Sequence, residues 1–222
     1  MPLHFPVLLE HNKAFPNDLL VGNTNFSIKI YDVKSGHLTP LNPEPAHTKP
    51  LTCLHCPTKF AGTDENLQHL FLSASKDGIV KIWDRRSNSS VAQVASSASG
   101  FGSSPIYSVT TNSNMICAGA KNDILWWDIH KLGKPIGRFT EGHGQDITAL
   151  KFNNAGNYLI SCSIDNVLNM FDLNLHDGGK RLNEEDLIEG AYSSTQPLLD
   201  CGFITEEIIW TQTSINTIEF IR

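Results

Sequence analysis

The sequence lacks three features that would each define a class of function. It has no run of basic residues, since 17 Lys and Arg are spread among 23 Asp and Glu for a net charge of −6. A nucleic acid partner held by charge is therefore not expected. No apolar run approaches the roughly 18 residues that span a bilayer, so no membrane partner is expected either. Met1 to Leu9 contains no Lys or Arg and does not resemble a signal peptide, which predicts an intracellular location, cytoplasmic or nuclear.

Cysteine is also scarce. The chain has five Cys in 222 residues, an odd number that predicts reduced thiols rather than a disulfide framework. Cys53-Leu54-His55-Cys56 has metal-like spacing, but zinc needs four ligands and no second pair follows. In an extended strand Cys53 and His55 share one face while Cys56 lies on the other. Glycine-rich phosphate loops are absent too. We therefore predict no metal and no cofactor.

The sequence does contain a diverged repeat. Five segments each hold two short apolar stretches around a turn rich in Asn, Asp, Gly and Ser, residues that tolerate the left-handed backbone of a hairpin. These segments are Leu19 to Asp32, Leu70 to Asp84, Met115 to Asp128, Tyr158 to Asp172 and Glu207 to Ile221. Each ends near an aromatic residue, and the aromatic residues recur every 44 to 52 positions, at Tyr31, Trp83, Trp127, Phe171 and Phe220.

The repeats predict strands and no long helices. The stretch after each turn alternates between two faces, as in Ile79 to Trp83. A further strand candidate precedes most hairpins, at Leu51 to His55, Ile106 to Thr110, Ile147 to Phe152 and Leu198 to Phe203. A weaker fourth strand follows, for example at Pro135 to Thr140, while Ser87 to Ser104 predicts an outer strand plus a connection. We therefore predict an all-β chain of four-stranded units.

The fourth unit resembles the WD40 repeat in Gly142-His143, Asp146, Phe152, Ser161, Asp165 and Phe171-Asp172. The second unit resembles it as closely, in Ser73, Asp77, Trp83 and Asp84. The resemblance implies a WD40-type β-propeller built from one domain over residues 1–222. The expected blades cover residues 1–45, 46–104, 105–141, 142–190 and 191–222.

The resemblance also implies a hydrogen-bonded chain of His, Asp, Ser or Thr, and Trp within each blade. The positions that match are His143, Ser161 and Asp165 in the fourth unit and His47, Ser73, Asp77 and Trp83 in the second. Phe171 has no N–H, so the fourth chain should stop at Ser161. The remaining units depart from the pattern, with Val21 and Asn25, Cys117 and Lys121, and Trp210 and Ser214. The repeat corners are Tyr31, Asp32, Asp84, Trp127, Asp128, Phe171 and Asp172.

Three constellations allow a second interpretation. His143, Asp165 and Ser161 could form a hydrolase triad, but no Gly-x-Ser-x-Gly elbow occurs, so we predict a structural network and no enzyme. The adjacent Trp126 and Trp127 could form an aromatic cage for a methylated lysine, although core packing is the favoured interpretation. The acidic segment Asn183 to Glu189 is either a solvated loop or a docking patch for a basic partner.

The blade count is short. WD40 propellers usually have seven blades, whereas this sequence supplies four and three strands of a fifth. We therefore expect an incomplete ring, explained by truncation, an error in the gene model or completion by a partner. The alternative is a closed five-bladed ring in which Met1 to Leu9 supplies the missing strand.

The function predicted from the resemblance is a non-catalytic scaffold for protein–protein interaction with an unknown partner. The loops expected to carry specificity are Lys76 to Gly78, Lys121 to Asp123 and Ile164 to Asn166. The alternative is a reader of short modified or basic peptides, of the histone-tail type, that uses the top face of the propeller.

Overall fold

The computed structural model describes residues 5–11, 15–42, 45–57, 69–100, 102–112, 115–175 and 184–222. These residues form nineteen strands arranged in five antiparallel sheets, and the helical segments among them are three or four residues long. None of these described helices has the length and apolar character to cross a bilayer. The all-β prediction is confirmed.

Two compact units divide the chain, residues 1–109 and 110–222. The first unit contains two complete sheets. One is formed by β1 (Pro6–His11), β2 (Asp18–Asn23), β3 (Ile28–Asp32) and β4 (Leu38–Pro40). The next is formed by β5 (Leu51–His55), β6 (Leu70–Ser75), β7 (Ile79–Asp84) and β8 (Ser89–Ala95).

The remaining three sheets continue the order. The third contains β9 (Ile106–Asn112), within which the unit division falls, then β10 (Met115–Ala120), β11 (Asp123–Asp128) and β12 (Gly137–Phe139). The fourth contains β13 (Ile147–Phe152), β14 (Tyr158–Ser163), β15 (Val167–Asp172) and β16 (Ile188–Ser193), with the single turn α1 (Glu184–Leu187) before β16. The fifth has three strands, β17 (Leu198–Phe203), β18 (Ile209–Thr213) and β19 (Ile218–Ile221).

Neighbouring sheets within a unit pack through apolar faces. In the first unit, Leu20 and Ile30 of the first sheet share one buried cluster with Leu54, Phe71 and Trp83 of the second. The Phe71 and Trp83 rings stack with centroids 6.2 Å apart, as their direct cross-strand pairing requires. Burial of such side chains is the main favourable term for this packing.

The fourth sheet is buried on both faces. Leu159 and Phe171 join a cluster with Trp126 and Phe139 of the third sheet. On the other side, Ile160 and its neighbours pack against the fifth sheet. Because both faces of the sheet are packed, β14 is buried at five of its six positions and shows no clean alternation of buried and exposed residues.

The strand count agrees with the prediction of four four-stranded units and a three-stranded fifth. The alternative use of the N-terminal segment is wrong. Its described part, Pro6–His11, is β1 and pairs with β2 through Leu9 and Val21. These described residues therefore belong to the first sheet and do not supply a fourth strand to the last one.

The expected residue alignment of the fifth unit is wrong by one position. Thr211 pairs with Glu219 as Ser161 pairs with Asn169, so Thr211 and not Trp210 occupies the Ser position. Ile221 takes the place of the aromatic residue, while Phe220 is 68% exposed. A shift of one residue moves every side chain of a strand to the other face of the sheet. Thr211 and Phe220, the residues of this unit that resemble the Ser or Thr and the aromatic residue of the repeat, therefore lie on opposite faces.

Candidate functional site

The second sheet carries a complete polar network. His47 lies in the loop before β5, and its Nδ1 donates to Asp77 Oδ2 at 3.0 Å. Ser73 Oγ donates to His47 Nε2 at 2.7 Å, and Trp83 Nε1 donates to Ser73 Oγ at 2.9 Å. When the imidazole is neutral and protonated at Nδ1, every donor points the same way along this chain. The four predicted residues are brought together in one network.

Asp77 also fixes two loops to each other. Its Oδ2 accepts the Thr48 N–H at 3.1 Å, and its Oδ1 accepts the Ile79 N–H at 3.0 Å. The turn continues through Gly78, whose φ is +83° and where a Cβ would meet Ser103 Oγ at 2.6 Å. Only glycine suits that backbone and that space. The carboxylate therefore ties the β6–β7 turn to the loop that holds His47.

The fourth sheet carries a shorter version of the network. His143 Nδ1 donates to Asp165 Oδ2 at 3.2 Å, and Ser161 Oγ donates to His143 Nε2 at 2.7 Å. Asp165 Oδ2 also accepts the Gly144 N–H at 2.8 Å. Phe171 is fully buried at the Trp position and has no N–H to donate. The chain of hydrogen bonds from Asp165 therefore reaches Ser161 without an indole donor.

A further donor anchors each histidine loop, and sequence reasoning missed both of them. Asn169 Nδ2 donates to the Gly142 carbonyl at 2.6 Å. Lys81 Nζ donates to the Ala46 carbonyl at 2.6 Å in the second sheet. The two residues are equivalent, since Lys81 pairs with Ser73 as Asn169 pairs with Ser161. Their shared position in the sequence could have revealed them, because Lys81 and Asn169 each lie two residues before the aromatic residue of their unit, Trp83 and Phe171.

Glu184 is the main residue that the sequence did not reveal. It is 8% exposed, and its carboxylate accepts three backbone N–H groups, from Thr140 at 2.6 Å, Glu141 at 3.1 Å and Gly142 at 2.7 Å. A Cβ at Gly142 would lie 2.9 Å from Glu184 Oε1, which explains the glycine before His143. Glu184 therefore holds the loop that positions the histidine.

This geometry corrects both interpretations of the acidic segment 183–189. Asn183 lies outside the described residues. Glu184 and Leu187 are buried in α1, so the described part is neither simply a solvated loop nor a patch that offers all its charge to a partner. The contacts span 42 to 44 residues of sequence, and no local pattern encodes them.

Burial sets the charge state of both histidines. It lowers the pKa of His47 and of His143 below 6.5, and the neighbouring Asp77 and Asp165 carboxylates only partly oppose it. The Lys81 charge lowers the pKa of His47 further, whereas Glu184 raises that of His143. Burial also acts to raise the pKa of Asp77, but His47 and two backbone N–H donors hold it below 3.8. Both networks therefore favour a neutral imidazole, and the network of the second sheet also favours an ionised Asp77 carboxylate.

Stability is expected to fall as the pH drops below 6.5. The folded histidines have a lowered pKa, so the unfolded chain takes up protons first and their contribution, complete above pH 6.5, is lost on acidification. The lowered pKa of Asp77 adds a second loss below 3.8. Urea unfolding from about pH 8 to about pH 5 measures this trend. A free energy of unfolding that rises over this range would contradict the assignment of buried neutral histidines.

The corner aspartates share one local role. Each accepts the backbone N–H two residues later at 2.8 to 2.9 Å, an Asx turn that ends the third strand. These residues are Asp32, Asp84, Asp128 and Asp172. The aromatic residue before each Asp is fully buried at Trp83, Trp127 and Phe171, and half-buried at Tyr31. The fifth unit has Ile221 and Arg222 at these positions.

The third sheet shows why one network is missing. Ile116 pairs with Trp127, so the residue two positions on, Ala118, occupies the place of Ser73. The sequence-based choice of Cys117 is wrong, because the turn of Lys121 and Asn122 is one residue shorter than expected and Cys117 pairs with Trp126 on the opposite face. Trp127 Nε1 is buried and has no hydrogen-bond partner in the described part of the chain.

Ala118→Ser is expected to stabilise the chain by about 0.5 to 1.5 kcal/mol, because its hydroxyl would accept from Trp127 Nε1 as Ser73 accepts from Trp83. The control is the same substitution in a Trp127→Phe background, where the new hydroxyl gains no donor and is expected to destabilise. If urea unfolding gave equal effects in the two backgrounds, the expected hydrogen bond between Trp127 Nε1 and the new hydroxyl would be refuted.

The side chains of the remaining candidate sites are buried and cannot contact a ligand. Trp126 and Trp127 are both 0% exposed, so the aromatic-cage interpretation of this pair is wrong. Ser73 and Ser161 are also 0% exposed. Cys56 is buried, which together with the Glu10 and Asp18 charges raises the pKa of its thiol. No group of three potential metal ligands was found among the residues described above.

Comparison with known proteins agrees with this geometry. The model of the WD domain, G-beta repeat family matches residues 38–84 and 133–172, which contain the two networks. A WD repeat-containing protein 89 homolog of Dictyostelium discoideum is 31% identical over 85% of this chain and 46% of its own. A WD repeat-containing protein of Saccharomyces cerevisiae is 26% identical over 94% of this chain and 51% of its own.

The chain spans about half the length of these curated relatives. Among solved structures, a chain in the crystal structure of the mitotic checkpoint complex superposes with a TM-score of 0.75 at 15% identity, over 96% of this chain and 59% of that one. That likeness concerns the fold alone. The chain therefore carries WD40 repeats at residues 38–84 and 133–172, has a β-propeller fold and resembles WD repeat-containing protein 89.

Proposed function

We propose that the chain is a non-catalytic scaffold that binds other proteins through the loops attached to its histidine networks. The observation that carries the proposal is the double anchoring of those loops. Asp77 joins the Lys76–Gly78 turn to the His47 loop, and Asp165 joins the 164–166 turn to the His143 loop. Loops held on a rigid framework are where binding residues concentrate.

The same geometry argues against a hydrolase. A nucleophilic serine must reach a substrate carbonyl, whereas the Ser73 and Ser161 side chains are fully buried and already hydrogen-bonded to histidine. Ser161→Ala is therefore expected to change stability without removing any turnover. A turnover that this substitution abolishes in a still-folded chain would support an enzyme.

A charge reversal on one anchored turn tests the scaffold directly. Lys76 is exposed at the tip of the β6–β7 turn, and Lys134 is exposed in the β11–β12 connection away from any anchored turn. The chain is used as bait from cell extract, and co-purifying proteins are quantified for the parent, Lys76→Glu and Lys134→Glu. We expect Lys76→Glu to deplete at least one specific partner about tenfold, as loss of a central contact does.

The control Lys134→Glu should retain that partner and keep the unfolding midpoint of the parent, because surface substitutions without specific contacts cost about 0.5 kcal/mol or less. Lys76→Glu also loses the contact of its ammonium with the Tyr107 ring, 5.9 Å from Nζ to the centroid, which should cost at most about 1 kcal/mol and leave the chain folded. Identical partner recovery from all three baits would place binding elsewhere and contradict the role of this turn.

A further inference from the structure

A polar cavity lies between the first and second sheets, within the first compact unit. Its volume is about 250 Å³, which is smaller than the about 300 to 1,000 Å³ of pockets that hold drug-sized ligands. A single side chain is therefore a more suitable occupant than a larger molecule. The polar lining comes from β2, β3, β4, the β3–β4 turn and the β7–β8 turn, and six of its residues are Asp18, Asp32, Ser35, Thr39, Arg85 and Asn88.

Apolar side chains fill the equivalent place between the third and fourth sheets. Met115 at the start of β10 and Leu173 directly after β15 belong to one apolar cluster there. The residues at the same positions, at the start of β2 and directly after β7, are Asp18 and Arg85. Their carboxylate and guanidinium form an ion pair. Between the first two sheets, an ion pair therefore replaces apolar packing.

A second difference leaves the space open. Ile30 lies two residues before the end of β3, where β11 has Trp126, and it lines the cavity. Trp126 is fully buried in the same cluster as Leu173, and its indole is much larger than the Ile30 side chain. The residue that pairs across the strands changes as well, from Gly137 to Thr39. The smaller residue opens the cavity, and Thr39 adds a hydroxyl to its wall.

Packing stability does not account for the ion pair. The Asp18 side chain is 8% exposed and that of Arg85 is 27% exposed. Replacing a buried ion pair with well-packed apolar residues is often neutral or stabilising, and the third and fourth sheets carry such residues at these positions. The Arg85 guanidinium also lies over the Phe15 ring, 4.0 Å from its centroid, so its charge is already engaged. The polar floor is therefore better explained by a polar ligand.

The charge that remains available in the cavity is negative. Its lining holds two carboxylates, one guanidinium and the His37 imidazole. Because Arg85 is paired with Asp18, the carboxylate of Asp32 is the charge left for a ligand. The Ser35 N–H above all, with the Lys34 N–H, keeps the pKa of Asp32 below 3.8 through bonds of 2.8 Å to its Oδ1. An ionised carboxylate at this position attracts a cation and repels an anion.

We propose that this cavity receives one basic side chain, a lysine or an arginine, of a partner protein. The cation pairs with the Asp32 carboxylate and donates to the oxygen atoms of Thr39 and Asn88. The cavity lies at the opposite end of β7 from the anchored Lys76–Gly78 turn. The inference rests on the proposed function only in that the ligand belongs to a protein.

An NMR titration of the ¹⁵N-labelled 222-residue chain tests the proposal with small probes. The cationic probes are the lysine and arginine amides with an acetylated α-amino group and a free side chain. The matching amides of norleucine and glutamate are the neutral and anionic controls. We expect saturable shifts at the amides of residues 35–39 and 88 with the cationic probes, with a Kd of about 1 to 10 mM for fragments that form one ion pair. The controls should leave these amides unchanged.

A charge-removing substitution locates the ion pair. Asp32→Asn keeps an Oδ1 that can accept the N–H groups of Lys34 and Ser35, so it retains the Asx turn and loses the charge. It should weaken binding of both cationic probes at least about tenfold. Asp128→Asn is the matched control, because Asp128 ends the third strand of its sheet with the same turn and lies outside the cavity lining. It should bind the probes as the parent does.

A double substitution separates ligand binding from stability. Asp18→Met with Arg85→Leu copies the residues found between the third and fourth sheets, Met115 and Leu173. It should abolish binding of both cationic probes, because the cavity loses its polar floor. The unfolding midpoint in urea should equal or exceed that of the parent, since apolar packing replaces the ion pair.

The proposal is overturned if neither cationic probe shifts these amides at concentrations well above the expected Kd. It is also overturned if the norleucine or glutamate amide binds equally well, if Asp32→Asn binds as tightly as Asp128→Asn, or if the double variant binds as the parent does. These outcomes are separate from the bait experiment, because Lys76 does not line the cavity and the small probes do not depend on the anchored turns.

Discussion

Replacing Glu184 with alanine is expected to lower the free energy of unfolding of the second compact unit by about 3 to 5 kcal/mol. Its carboxylate accepts the N–H groups of Thr140, Glu141 and Gly142. Each of these bonds is charge-assisted, and their loss leaves three partly buried donors without an acceptor. The loop before His143 should open first, so hydrogen exchange at residues 140–144 should accelerate more than exchange in β14.

Glu185→Ala is the matched control, because Glu185 is the exposed neighbour on the same helical turn and should change stability by about 0.5 kcal/mol or less. Glu184→Gln keeps the shape of the side chain but replaces one accepting oxygen by an NH₂ donor, so it should fall between the parent and the alanine variant. If Glu184→Ala and Glu185→Ala were equally stable, the hydrogen bonds of Glu184 to residues 140–142 would contribute nothing to the free energy of unfolding.

Removing the serine hydroxyl should cost more in the second sheet than in the fourth. Ser73→Ala leaves both Trp83 Nε1 and His47 Nε2 without a partner, at a cost of about 2 to 4 kcal/mol. Ser161→Ala removes one donor from His143 Nε2, which keeps a 3.4 Å contact with Asn169 Nδ2, and no indole donor is lost because Phe171 has none, so the cost should be about 1 kcal/mol. Both serines are 0% exposed.

The difference is best measured by native-state hydrogen exchange at β6 and β14, which reports the opening free energy of each sheet separately. Removing the indole donor from the second sheet provides a control. In a Trp83→Phe background the cost of Ser73→Ala should drop to that of Ser161→Ala. Equal costs in the parent background would mean that the indole bond adds no stability.

The sequence predicts the structure correctly where a feature depends only on residues close together in the chain. The β6–β7 hairpin follows from the Lys76-Asp77-Gly78 turn and from the alternation of Ile79 to Trp83, and its strands lie where that pattern places them. The corner aspartates bond to the backbone only two residues away, so the aromatic-Asp pair marks the end of the third strand directly.

In the diverged hairpins, the sequence could not show which residue occupies which position of the repeat. In the third unit a turn shorter by one residue moves the network position from Cys117 to Ala118. In the fifth unit Phe220 resembles the repeat aromatic by spacing but faces solvent. Both errors arise because turn length decides which face a residue occupies, and turn length is poorly encoded when the turn residues are atypical.

Long-range contacts were out of reach for a different reason. Glu184 meets its three donors across more than 40 residues, and nothing near it distinguishes it from the exposed Glu185 beside it. Such sites require the packed structure.

An NMR titration of the two buried histidines tests the account most directly. With ¹⁵N-labelled imidazoles, His47 and His143 should each show mainly the neutral form with the proton on Nδ1 at about pH 7, and the midpoint of protonation of each ring should lie below 6.5. The exposed His130 in the same spectrum provides a reference signal. A midpoint above 6.5 for either buried ring, or a neutral ring with its proton on Nε2, would contradict the hydrogen-bond directions assigned to the two networks.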